Sequence, residues 1–278
     1  MRVITAKHAG VCYGVERALK LAVEAAESGG PVHTLGPLIH NPQAVAELEA
    51  QGIQVAADLD EVSEGTVVIR SHGVDPAVIR SAQERGLTVV DATCPFVSTV
   101  HESAKRLIAE EYEVIIVGEP DHPEVEGILA HAGGLAKVVE EASDVPRDLK
   151  RKVGVVVQTT QSAERLAEVV ETLLPRVKEL RVFNTICSAT VKRQDAAREL
   201  AAQVDAVVVV GGHNSGNTTR LAEICRSVNP NVHHVETAEE LEPEWFEGLE
   251  TVGVTAGAST PSEQMQRVID SIERLSRG

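Results

Sequence analysis

Short runs of Val and Ile alternate with amphipathic stretches along the whole chain. EVIIV (113–117) and VVVV (207–210) are apolar at nearly every position, the mark of strands covered on both faces, as in parallel sheets. Between such runs apolar residues recur at helical spacing, and several of these stretches follow Pro, Ser or Asn cap candidates. The first third predicts helix Val15–Glu27, strand Val32–Leu35, helix Gln43–Gln51, strands near 53–55 and at Thr66–Ile69, helix Ala77–Arg85 and strand Leu87–Val90. The second third repeats the order: helix Val97–Glu111, strand Glu113–Val117, helix Val125–Ala132, strands Ala136–Val139 and Val153–Val157, helix Ala163–Leu174, strand Leu180–Phe183. The last third follows with helix Val191–Gln203, strand Ala206–Val210, helix Thr218–Ser227, strands Val232–Val235 and Thr251–Thr255, and helix Ser262–Leu275, and stops one strand short. The strand Arg2–Thr5 stands before the first helix as the missing one would, so residues 1–13 are expected to complete the third sheet. The fold class that follows is α/β, with three small parallel-sheet domains related by a pseudo-threefold around one centre. Their expected bounds are 14–93, 94–186, and 187–278 completed by 1–13.

Each third carries one cysteine at a matching place, between a strand-like run and a helix: HAGVCYGVERALKLA, DATCPFVSTVHESAK and NTICSATVKRQDAAREL. Cys12, Cys94 and Cys187 therefore point to three units converging on one site. Three thiolates without a matched fourth suit a metal or an iron–sulfur cluster with an open coordination position. Cys225 lies inside the helical pattern TTRLAEICRSV and reads as core packing.

Composition narrows this picture. A chain of 278 residues with 43% hydrophobic content is long enough for two or three small domains. No apolar run reaches the roughly 18–20 residues of a membrane span, and MRVITAKHAGV lacks the apolar core of a secretory signal. A cytoplasmic protein is expected, in which four cysteines favour metal or catalytic use over disulfides. A formal charge of −16 and 2% aromatic residues argue against nucleic-acid binding.

In open parallel sheets ligands sit beyond the carboxyl ends of the strands. Six such ends are rich in polar residues, Gly and Pro: LGPLIHNP, RSHGVDP, GEPDHPEVEG, QTTQS, GGHNSGNT and TAGAST. His40, His72 and His122 stand there as candidate phosphate ligands, either as imidazolium or as neutral donors. His213 has weaker grounds, and His8, His33, His101, His131, His233 and His234 lack this placement. Glu124 is a candidate proton donor, whereas Glu126 reads as a first-turn helix carboxylate. Thr159 and Ser259 are candidate hydrogen-bond donors to an anion, and HNSGNT, with Ser215 and Asn217 before a helix, is the best anion site. No Walker loop is present, and no GxGxxG stands between a strand and a helix, so a nucleotide cofactor is not indicated.

Taken together, GVCYGVERAL, GPLIHNP, RSHGV, DATCPFV, HPEVEG, QTT, NTICSATVKRQ, NSGNTTRL and GVTAGAS resemble the 4-hydroxy-3-methylbut-2-enyl diphosphate reductase family over nearly the whole chain. The resemblance implies one 4Fe–4S cluster on Cys12, Cys94 and Cys187, with one iron lacking a cysteine and taking the substrate hydroxyl. It implies reductive loss of that hydroxyl as water, giving isopentenyl and dimethylallyl diphosphate. It places the diphosphate on His40, His72, His122, Ser215, Asn217 and Ser259, a proton-relay carboxylate on Glu124, and Thr159 near the substrate hydroxyl. Its electron donor would be a ferredoxin or a flavodoxin. One departure stands out: Gly216 occupies a position where the family often has a second serine, leaving only a backbone N–H there. Two other readings stay open. Quinolinate synthase also resembles a threefold arrangement with one cluster cysteine per domain, but its carboxylate substrates call for strand-end arginines, and only Arg70 qualifies. A non-catalytic iron–sulfur or zinc sensor is the other.

Overall fold

The computed structural model describes residues 1–275. In chain order the elements are β1 (Arg2–Thr5), α1 (Tyr13–Glu27), β2 (Val32–Leu35), α2 (Pro42–Ala50), β3 (Ile53–Ala56), β4 (Thr66–Ile69), α3 (Pro76–Glu84) and β5 (Thr88–Asp91). There follow α4 (Pro95–Ala109), β6 (Glu113–Val117), α5 (Pro123–His131), β7 (Lys137–Val139), β8 (Lys152–Val157), α6 (Ala163–Leu173) and β9 (Glu179–Val182). The last are α7 (Ser188–Ala201), β10 (Ala206–Val210), α8 (Gly216–Arg226), β11 (Val232–Val235), β12 (Thr251–Ala256) and α9 (Ser262–Leu275).

The strands form three four-stranded sheets in the orders β3-β2-β4-β5, β7-β6-β8-β9 and β11-β10-β12-β1. Every pairing is parallel. All three orders are the same: the first strand of a set lies inside, the second at one edge, the third beside the first, and the fourth at the far edge. β1 fills that fourth place beside β12, with Val3 opposite Val252 and Thr5 opposite Val254. The order reverses between the first and third strand of each sheet, where doubly wound folds open a crevice at the carboxyl ends.

The chain divides into two compact units. One comprises Met1–Tyr13, His40–Ala44 and Ser188–Gly278, and contains the sheet closed by β1. The other comprises Gly14–Ile39 and Val45–Cys187, and contains the other two sheets. Residues 40–44, which the pattern places in the first third, fall in the unit of the last third.

The central strands are buried throughout. All five residues of β6 and of β10 are buried, Glu113 at the start of β6 keeping 8% exposure, which is why their sequences show no alternation. Val208, Val210, Val252 and Val254 pack with Ile269 and Ile272 of α9 in one unit. Val114, Ile116 and Val156 pack with Val100, Ala104 and Leu107 of α4 and with Val125 and Ile128 of α5 in the other. Each of these Val, Leu and Ile side chains contributes about 1.5–3 kcal/mol by leaving water. Gly154 on β8 is part of the same fit, since a Cβ there would lie 2.5 Å from Leu107.

Helix starts are where pattern and structure differ. The periodicity places several starts after the prolines, yet α2, α3, α4 and α5 begin on Pro42, Pro76, Pro95 and Pro123. Proline at the first helical position loses no hydrogen bond, because that N–H has no partner within the helix. Short 3-10 turns at Leu59–Glu61, Ala142–Asp144 and Ala238–Glu240 carry too little periodicity to be seen in the sequence.

Candidate active site

The three matched cysteines share one backbone contact. The Cys94 amide donates to the Ser71 carbonyl at 2.9 Å, the Cys187 amide to Thr159 at 3.0 Å, and the Cys12 amide to Ala258 at 3.0 Å. Ser71, Thr159 and Ala258 each lie two residues past the third strand of their sheet: β4, β8 and β12. The loops before the cysteines differ in length, but the anchor is the same. None of the three is in a disulfide, and each is half-buried. Cys225 is fully buried in α8, where burial pushes its thiol up to about 11, in keeping with a core residue. Among the described residues no three His, Cys, Asp or Glu side chains gather closely enough to ligate one metal ion.

Glu124 is the most perturbed acid of the site. It is the second residue of α5 and is 2% exposed. The Thr159 amide donates to its Oε1 at 2.6 Å, and the Thr159 hydroxyl lies 2.8 Å from its Oε2. Burial raises its pKa to about 7, against the lowering effect of those two bonds. Gln158, completely buried, fixes this corner from below: its Oε1 accepts the Glu119 amide, and its Nε2 donates to Thr160 and Glu119. Gly118 is required beside it, because a Cβ would lie 2.8 Å from the Gln158 oxygen.

His122 caps α5. Its Nδ1 accepts the Glu124 amide at 3.1 Å, so the ring proton sits on Nε2. Burial, and then nearby Arg70, lower its pKa to about 4. Of the two forms open from sequence, His122 is therefore the neutral donor. The His72 ring meets it edge-on, centroids 5.6 Å apart. Arg70 beside them donates from Nε to the Gly73 carbonyl and lies 3.6 Å from Glu126, which stays at the surface as its helix position predicts.

In the other unit, Ser215 caps α8 through its Oγ, which accepts the Thr218 amide. Gly216 and Asn217 are then the first two helical residues, whose amides have no partner within the helix. Asn217 is 5% exposed, and neither its Oδ1 nor its Nδ2 has a hydrogen-bond partner among the described residues. The loop after β12 presses against this turn. A Cβ on Gly257 would lie 2.1 Å from the Thr218 hydroxyl, so only glycine fits. The Ser259 hydroxyl donates to the His40 carbonyl at 2.9 Å, so as placed it offers lone pairs rather than its proton. His213 is exposed, and its ring faces Glu240.

Sequence reasoning passed over Asn41. It is 1% exposed, accepts the Ala44 amide as the cap of α2, and donates to the Ser259 carbonyl and to Gln264. An Asn directly before a helix-starting proline was the available signal. One unit thus brings together His40, Asn41, Ser259 and the Ser215–Asn217 turn. The other brings together His72, His122, Glu124, Thr159, Cys94 and Cys187.

The profile of a family described as LytB protein matches residues 3–273. A relative from Geobacter sulfurreducens named 4-hydroxy-3-methylbut-2-enyl diphosphate reductase is 52% identical, over 99% of this chain and 98% of its own. One of the same name from Pelobacter propionicus is 51% identical, over 100% and 99%. A solved structure of (E)-4-hydroxy-3-methyl-but-2-enyl diphosphate reductase, the terminal enzyme of the non-mevalonate pathway, is 47% identical with a TM-score of 0.71, covering 98% and 99%. That of E-1-hydroxy-2-methyl-but-2-enyl-4-diphosphate reductase from Plasmodium falciparum is 27% identical with a TM-score of 0.90, covering 96% and 86%.

Proposed function

This chain belongs to the LytB protein family, and from that we infer an iron–sulfur oxidoreductase acting on 4-hydroxy-3-methylbut-2-enyl diphosphate. Two electrons and two protons remove the hydroxyl as water and leave isopentenyl or dimethylallyl diphosphate. The observation that carries the site is the shared anchor of Cys12, Cys94 and Cys187, each amide on the same strand-end carbonyl of its sheet. It supports the division into three domains, 14–93, 94–186, and 187–278 completed by 1–13.

The donor set fits a cluster. Three half-buried cysteines outside any disulfide are soft ligands for iron, and no fourth thiol stands with them. When bound, a 4Fe–4S cluster on these three residues supplies electrons and one iron without a cysteine, an acceptor for the substrate's hydroxyl oxygen.

The protein's own groups do the rest. Glu124 holds a proton up to about pH 7 in a site from which water is largely excluded. When it is protonated, its 2.8 Å contact with Thr159 can reverse: the carboxyl donates to Oγ1, and the Thr159 hydroxyl proton turns outward to the substrate. The diphosphate is assigned to His40, His72, the Nε2–H of His122, Ser215, Asn217 and Ser259, with the Gly216 amide in place of a serine hydroxyl. Ser259 must release the His40 carbonyl to donate. This remote anchor converts binding energy into placement of the carbon–oxygen bond. A small redox protein such as a ferredoxin or flavodoxin brings the electrons, in the cytoplasm. No helix among the described residues is long and apolar enough to cross a membrane.

The test is anaerobic purification with iron, sulfide and zinc analysis, followed by an assay with the allylic diphosphate and a chemical reductant. About four irons and four sulfides per chain are expected, with product formed and iron lost in Cys187→Ser. Zinc alone after anaerobic reconstitution would overturn the redox reading.

A further inference from the structure

His101 and His131 have no place in the chemistry above, yet their setting is specific. His101, on α4, is 4% exposed, and its ring stacks on that of His131 at the end of α5, centroids 3.9 Å apart and 13° from parallel. The edge of the His101 ring lies against two glycines. A Cβ on Gly73 would sit 2.6 Å from its Cε1, and one on Gly127 would sit 3.3 Å from its Nε2. Gly73 directly follows His72 and has φ +75°. Gly127 lies one turn beyond Glu124 in α5, and its Cβ position is also 3.5 Å from the His72 carbonyl oxygen. The loop that carries His72 and the helix that carries His122 and Glu124 therefore meet, backbone to backbone, over this one ring. Burial holds His101 down to about 3, so the stack stays uncharged.

We propose that His101 is a positioning residue: stacked on His131, its ring sets the distance between the His72 loop and α5, and so the spacing of the His72 and His122 rings as donors to one anion. The proposal rests on the diphosphate reading above. Glu124 is held separately, by Thr159 at the end of β8. Loss of the spacer should therefore weaken anion binding more than turnover.

The experiment compares holoprotein variants by calorimetric titration with inorganic pyrophosphate and by steady-state kinetics. In His101→Ala, the pyrophosphate Kd and the KM should each rise about tenfold, while kcat stays within about threefold. His101→Phe keeps a flat ring of the same thickness and should restore both constants to within about threefold of the wild type. Should His101→Ala fail to fold, Gly127→Ala probes the same seam from the helix side, with the same direction expected. An unchanged pyrophosphate Kd in either alanine variant overturns the proposal, as does a fall in kcat with Kd and KM unmoved. A wild type that binds pyrophosphate without reducing the allylic diphosphate sinks the reductase reading alone, because the Kd comparison still decides the role of His101.

Discussion

Helices α5 and α8 occupy the same place in their sheets, each leading out of the first strand, yet their first turns are chemically opposite. In α5 the first residue is Pro123, which has no N–H, and the second is Glu124, whose amide is taken by His122 and whose carboxyl is taken by Thr159. In α8 the first residue is Gly216 and the second is Asn217, with a buried side-chain amide that meets no partner among the described residues. One turn is fully satisfied and stores a proton. The other leaves donors unpaired, a cost of about 1–3 kcal/mol that a bound anion would relieve. In the proposed function the same backbone position would thus serve proton transfer in one helix and anion binding in the other, depending on whether its polar groups are already paired.

The largest test of that contrast is Glu124→Gln. It keeps the shape and the Thr159 contacts but cannot release a proton, so kcat should fall about 10²–10⁴-fold with iron content unchanged. Wild-type turnover would remove Glu124 from the proton path. Asn217→Ala should instead raise KM about 10–100-fold, the worth of one donor to a charged group, and leave kcat nearly intact. A kcat loss equal to that of Glu124→Gln would erase the contrast.

The pH dependence sharpens the comparison. Glu124 is protonated below about pH 7, so kcat should decline as pH rises through that value, and Glu124→Gln should lose this limb. Stability carries the same sign. The folded pKa lies above the usual 4.5, so the native state retains a proton that the unfolded chain has released. Stability should therefore fall between about pH 4.5 and 7 and level off above, which urea midpoints across that range would show, with a flatter profile in Glu124→Gln. The smallest effect is expected from Gly216→Pro, which gives α8 the first residue of α5. Ser215 already has the extended backbone that precedes proline (φ −94°, ψ 108°). The fold should be kept and KM should rise only about fivefold through one lost N–H.

Much of this was legible in the sequence. The Val and Ile runs mark β6, β8 and β10 because burial leaves no polar position in their middles, whereas β2, β3 and β11 carry His33, Gln54 and the His233–His234 pair and are visible mainly from their place in the repeat. The cysteines stand out because each lies between such a run and a helix. The candidate anion turn is visible because Ser215 and Asn217 stand at the start of a helical pattern. What escaped depends on contacts between distant positions. That Ser259 gives its proton to the His40 carbonyl, or that Asn41 joins α2 to the loop after β12, follows only from bringing together residues more than 200 apart in the chain. The ionic form of His122 was open for a different reason: a ring's tautomer is set by what its other nitrogen accepts, and that is geometry. His101 sits in mid-helix among apolar neighbours and looks like any buried residue until the two glycines against it are seen.

The partnership of β1 with β12 has a consequence for how the molecule is made. Cys12 precedes by most of the described chain the residue that anchors its amide, Ala258, and among the described residues the strand before it pairs with β12. Emerging chains fold segment by segment, so the sheets of β2–β5 and β6–β9 can close while β1 still waits for its neighbour. Of the three matched cysteines, Cys12 is thus made first and anchored last. A chain that stops before β12 lacks the native setting of Cys12, so any cofactor held by all three thiols, as proposed above, loads only after β12 has been made.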